Sequence, residues 1–120
     1  MAPDSTPPTD FSVHVAPGRR GGVDLAVFGE LDLATANVVE GALDEAIEAG
    51  GNVVIDLRAC GFVDSRGIAV LIKAALRLHE QGRRLRIHGV QERVMSILEL
   101  AGITTMDQLD VAPHAPSRPA

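Results

Sequence analysis

Between residues 52 and 88 the chain changes hydrophobic period twice, and this limits its fold more than any other feature. Residues 52–57 (NVVIDL) form a near-continuous β-branched run, the pattern of a strand in a mainly parallel sheet with at least one face covered. Ile68, Leu71, Ile72, Ala75 and Leu78 then recur at helical spacing up to Gly82. Leu85 and Ile87 alternate with Arg84, Arg86 and His88, which is the period of a strand. Strand, helix and strand in that order require a crossover between parallel strands, so the chain is expected to be an α/β domain.

The flanking segments extend this plan. Phe11, Val13 and Val15 alternate with Ser12, His14 and Ala16; PGRRGG then supplies turn chemistry before a second apolar run at 23–29, so an antiparallel strand pair is expected. Helical spacing of Val39, Ala42, Leu43, Ala46 and Ile47 predicts an amphipathic helix within 33–49, stopped by Gly50-Gly51. Val94, Ile97, Leu98 and Ala101 line a third helix. Gly102 is expected to close it in the left-handed conformation, with Ile103 folding back as the hydrophobic contact. A short last strand is expected near 106–111. The sum is a mixed sheet of four to five strands with about three amphipathic helices packed on it.

Length and composition allow one domain. The chain has 120 residues, 46% hydrophobic and 22% charged, enough for one compact core. Pro, Ser and Thr crowd residues 1–10 and 112–120, which are expected to be disordered tails around a domain at 11–111. No apolar run approaches the roughly eighteen residues of a spanning helix, and the start MAPDSTPPTD lacks the basic and apolar regions of a signal peptide. A cytoplasmic protein without membrane insertion is the expectation. A net charge of −5 and aromatics limited to three Phe argue against nucleic-acid binding. The single cysteine, Cys60, excludes an internal disulfide and a CxxC site, and reads as a small buried residue. Neither a metal nor a cofactor is expected.

Chemistry concentrates in residues 53–75, VVIDLRACGFVDSRGIAVLIKAA. Phe62 and Val63 end a loop, and Asp64-Ser65 precedes a helix. Either residue can accept from the unpaired N–H groups at that helix start, and an N-cap explains both. A phosphoryl group on Ser65 would meet the same N–H groups and the positive end of the helix dipole, adding about two negative charges. Upstream, Gly29-Glu30-Leu31-Asp32 with Thr35 stands before the first helix, where Asp32 or Thr35 also fits a cap. Phe62 also fits a hydrophobic staple or the core. A hydrolase reading is weak: Ser65 lacks a G-x-S-x-G elbow, and His14, His79, His88 and His114 are scattered over strands, a helix end and a tail. GRRGG lacks a lysine-serine ending and precedes a strand, which makes it a turn and not a phosphate loop.

The segment Asp64-Ser65-Arg66-Gly67-Ile68-Ala69 resembles the Asp-Ser-Ser-Gly-Leu-Gly type motif of the STAS-domain anti-sigma factor antagonists of bacteria. Gly29-Glu30-Leu31-Asp32 resembles their Gly-Glu-Leu-Asp segment, in the same order and at similar spacing. The resemblance spans about residues 11 to 111. It implies a non-enzymatic partner switch, in which the unmodified domain binds an anti-sigma factor that is also a serine kinase, and phosphorylation reverses the binding. A PP2C-type serine phosphatase is a further implied partner. By the same resemblance Ser65 is the phosphoacceptor, and Glu30, Asp32, Thr35, Phe62, Asp64, Ser65 and Arg66 form the partner surface. Arg66 departs from the motif's second serine and Ala69 from its glycine. Arg66 is suited either to pair with a phosphate on Ser65 or to alter kinase recognition. The departure keeps a second reading open: a STAS subunit of a transporter, of the phospholipid ABC type, or a stressosome-like scaffold, not switched by phosphorylation.

Overall fold

The structure is a computed structural model that describes residues 10–18 and 21–114. Ten elements follow in order: β1 (Ser12–Pro17), β2 (Val23–Leu31), α1 (Ala36–Ala49), β3 (Val53–Asp56), β4 (Cys60–Val63), α2 (Ser65–Glu80), β5 (Leu85–Val90), α3 (Glu92–Leu100), a 3-10 turn (Ile103–Thr105) and β6 (Leu109–Pro113). The mixed sheet and the three helices match the sequence reading.

The sheet runs β1-β2-β3-β5-β6, with β1 antiparallel to β2 and the other neighbours parallel. Each parallel step is bridged by a helix, as expected of strands that leave and re-enter one sheet in the same direction. Cys60–Val63, expected as the end of a loop, forms the short β4 and pairs with the far end of β2, which brings the sheet to six strands. The last strand reaches Pro113, beyond the expected boundary at 111, and the His114 N–H donates to the Val90 carbonyl at 2.8 Å. Of the tails expected at 1–10 and 112–120, residues 1–9 and 115–120 lie outside the described residues, while residues 112 and 113 belong to β6.

Strand periodicity decides where the core sits. Leu25, Val27, Val53, Ile55, Leu85, Ile87 and Leu109 point to one face and are buried together with Val39, Leu43 and Ile47 of α1, Val70, Leu71, Ala75 and Leu78 of α2, and Val94 and Leu98 of α3. The alternate residues Ala26, Val54, Asp56, Arg86, His88 and Asp110 form the other face, which is only partly covered. Gly102 adopts φ +77° after α3, and buried Ile103 folds back onto the core, the closure expected from the sequence.

The first helix begins at Ala36 and not at Leu33, because residues 32–35 are committed to a turn: the Thr35 and Ala36 N–H groups both donate to the Asp32 carbonyl, at 3.1 and 2.7 Å. The second helix is seated by close approach at Gly67. A Cβ there would lie 2.6 Å from the Leu31 carbonyl oxygen, 2.7 Å from the Leu31 Cγ and 3.0 Å from a Val63 methyl. The start of α2 therefore rests directly on the ends of β2 and β4. Gly67→Ala is expected to lower stability by about 1–3 kcal/mol through overpacking, measured by urea unfolding; a loss below about 0.5 kcal/mol would show that this contact does not seat the helix.

Candidate functional site

Parallel pairing of β2 with β4 brings the two motif segments together. Glu30 stands opposite Phe62 and Leu31 opposite Val63, with a register shift at Gly29/Glu30. Both strands end on the same edge, the carboxyl end of a parallel pair, where α/β proteins commonly place their sites. The Asp64 N–H donates to the Leu31 carbonyl at 3.1 Å and carries the pairing one residue further.

Asp64 then locks the junction. Its Oδ1 accepts from the Arg66 and Gly67 N–H groups at 2.9 and 3.0 Å, which makes it the N-cap of α2. Its Oδ2 accepts from the Leu33 N–H at 3.1 Å, across to the other segment. Of the two residues that suit the cap, Asp64 is the one that forms it. Ser65 occupies the first helical position with its side chain exposed.

The Glu30–Thr35 segment is shaped by an internal network. Thr35 is buried; its hydroxyl donates to the Glu30 carbonyl at 2.6 Å and accepts from the Asp32 N–H at 2.9 Å. This corrects the expectation that Thr35 belongs to the partner surface, since a hydroxyl satisfied within the turn and covered by protein shapes the surface from beneath. The Asp32 Oδ1 accepts from the Ala34 N–H at 3.0 Å, so this carboxylate braces the loop and does not cap α1, whose N-cap position is Thr35. Glu30 is exposed. Phe62 is 36% exposed, between buried Cys60 and Val63, so it faces outward and is neither staple nor core.

Two features of the site were not read from the sequence, the exposure of Leu33 and the reach of Arg66 to α1. Leu33 is 76% exposed beside Asp64, an apolar side chain displayed at the centre of the site. Arg66 reaches over to α1, where its Nη2 donates to the Asn37 Oδ1 at 3.0 Å and lies 3.6 Å from Glu40. Glu40 also takes the Lys73 ammonium at 3.0 Å, and a further ion pair joins Arg77 to Asp44. The Lys73 hydrogen bond, with Arg66 adding to it, holds the Glu40 carboxyl below its ordinary value. Leu33 fell within the span expected to be helix, and nothing in the local pattern signals a pairing 29 residues apart.

The four histidines lie elsewhere. His14 and His88 sit on strands, His114 follows β6, and His79 stands near the end of α2, about 21 Å along the axis from Ser65. Cys60 is buried, as expected, and burial pushes its thiol pKa up. Among the described residues no group of three or more His, Cys, Asp or Glu is placed to hold a metal ion, and no helix is long and apolar enough to cross a membrane.

The family model described as "Mlab, STAS domain" matches residues 17–110. The chain belongs to the STAS domain family. A curated relative, the anti-sigma-B factor antagonist of Listeria monocytogenes, is 26% identical over 101 residues, covering 83% of this chain and 89% of the relative. The crystal structure of an anti-sigma factor antagonist from Mycobacterium paratuberculosis superposes with a TM-score of 0.73 at 22% identity, covering 88% of this chain and 90% of that one. The Bacillus cell fate determinant SpoIIAA in its phosphorylated form gives 0.65 at 17% identity, covering 84% and 91%. The two superpositions establish that the STAS fold is shared.

The α1–α2 ion pairs give this STAS domain a defined acid response. With the folded pKa of Glu40 depressed, its stabilisation is complete above the ordinary value of 4.5 and is lost as pH falls through the lower folded value. Glu40→Gln is expected to cost about 0.2–1 kcal/mol at pH 7, with the difference from wild type closing below pH 4.5 in urea titrations; a difference that grows on acidification would overturn the assignment. Cys60 is expected to resist a maleimide in native buffer and to react once urea unfolds the chain. Stoichiometric labelling of the native protein would contradict its burial.

Proposed function

We propose that this STAS domain is an anti-sigma factor antagonist, a non-enzymatic cytoplasmic regulator that binds an anti-sigma factor with serine kinase activity and is switched by phosphorylation of Ser65. The observation that carries the reading is the division of labour at the start of α2. Asp64 satisfies the helix N-terminus, so the exposed Ser65 hydroxyl is not needed for capping and can be modified without removing a structural hydrogen bond. The names of the curated relatives support the same role.

In the modification, the Ser65 Oγ attacks the γ-phosphorus of ATP, ADP leaves, and the hydroxyl proton passes to a base of the kinase. A PP2C-type phosphatase hydrolyses the ester in the reverse branch. The surface presented to the partner combines the apolar Leu33 and Phe62 with the carboxylates of Glu30, Asp32 and Asp64, and with Arg66. A dianion at its centre places like charges together and changes affinity far more than it changes folding, because the site is exposed and the core lies between the sheet and the helices.

Incubation with a cognate kinase and ATP is expected to modify Ser65, as mapped by mass spectrometry. Ser65→Ala should bind the partner as the unmodified protein does, and Ser65→Asp should bind about tenfold or more weakly by calorimetry. Equal affinity for all three forms, with no modification at Ser65, would remove the switch and favour the transporter-subunit or scaffold role.

A further inference from the structure

Two donors of the usual anion seat at a helix start are closed to a phosphate on Ser65. The N–H groups of Arg66 and Gly67 are already given to the Asp64 Oδ1, at 2.9 and 3.0 Å, and the other Asp64 oxygen holds the Leu33 N–H at 3.1 Å. To displace that carboxylate would release the cap of α2 and the tie to the Glu30–Thr35 segment together. Asp64 itself, and Asp32 in the adjoining turn, further raise the need for a cation.

The nearest candidate in sequence is the next residue. The Arg66 side chain is 38% exposed, and its guanidinium rests on α1 through one hydrogen bond to Asn37 at 3.0 Å and a looser 3.6 Å approach to Glu40. Glu40 does not depend on it, because Lys73 is at 3.0 Å. Lys73 lies eight residues beyond Ser65, about 12 Å along the helix, so it stays with Glu40. Adjacent positions on a helix diverge by about 100°, so a rotamer change of the long Arg66 side chain is required. Partial exposure and weak surface partners permit it. The planar guanidinium also matches a phosphate bidentately.

We infer that Arg66 is the intramolecular phosphate-binding residue of this switch, leaving Asn37 and Glu40 of α1 for the phosphoryl group on Ser65 while Lys73 keeps Glu40 paired. The inference rests on the reading of Ser65 as the phosphoacceptor. It extends the switched surface to α1, where the Asn37 Oδ1 and one Glu40 oxygen lose their cation.

The test uses the full chain with phosphoserine installed at position 65 by codon reassignment, so it requires no kinase. Phosphorus NMR titration is expected to give a phosphoserine pKa in the wild-type background about half a unit or more below that in Arg66→Gln, with Arg66→Lys between them. The Asn37 side-chain amide signal is expected to shift on phosphorylation in the wild type and to stay in place in Arg66→Gln. Identical phosphoserine pKa values in the wild type and Arg66→Gln, or an Asn37 amide that ignores the phosphate, would overturn the inference. Circular dichroism melting confirms that the variants are folded. A kinase that ignores Ser65 would defeat the proposed function and leave this measurement standing, so the two failures are distinguishable.

Discussion

One carboxylate holds the site together. Asp64 accepts three backbone N–H groups, two from the first turn of α2 and one from Leu33, and so joins segments that are 31 residues apart in the chain. Hydrogen bonds to a charged acceptor are among the stronger ones in proteins, and here each also satisfies a donor that the helix or the turn leaves open. The geometry rests on two supports beneath it: parallel pairing of β2 with β4, and Gly67, whose missing side chain lets the helix lie against the Leu31 carbonyl. Thr35 does for the upstream segment what Asp64 does for the downstream one, with a buried hydroxyl that both donates and accepts. The exposed groups above this frame carry no comparable structural duty.

Most of the architecture could be read from the sequence, since each regular element has enough residues to show its period. Residues 52–57, 68–78 and 85–88 change period cleanly, and Gly102 marks the end of α3 by its positive φ. β4 could not be read in this way. Its four residues, CGFV, include a glycine and are too few to show alternation, and the strand exists because β2 runs on past the end of β3 and offers a free edge. The start of α1 was misplaced for a related reason. Leu33 extends the apolar pattern, but the backbone around it is already used by Asp32, Thr35 and Asp64.

The two motif segments were legible as a site, although not the role of each side chain within it. Asp64 and Ser65 suit the cap equally by residue type, and the choice is made by the position of Leu33, a contact with no local signature. The resemblance put Thr35 on the surface, whereas here it is buried, with its hydroxyl held by the Glu30 carbonyl and the Asp32 N–H. The Arg66–Asn37 and Lys73–Glu40 contacts depend on how α1 packs against α2, and charge spacing along either helix alone does not reveal them.

The unequal strength of these interactions separates folding from signalling. The buried apolar layer between sheet and helices fixes the backbone, and the Asp64 cap fixes the site on that backbone. The α1–α2 ion pairs are solvent-exposed contacts, each contributing on the order of 1 kcal/mol or less, so their exchange leaves the fold in place. A dianion introduced at Ser65 therefore meets a rigid platform and a loosely held cation. In the proposed switch, the free energy of the modification is expressed as rearranged surface charge over α1 and the start of α2, where a partner would register it, and the core contacts are preserved.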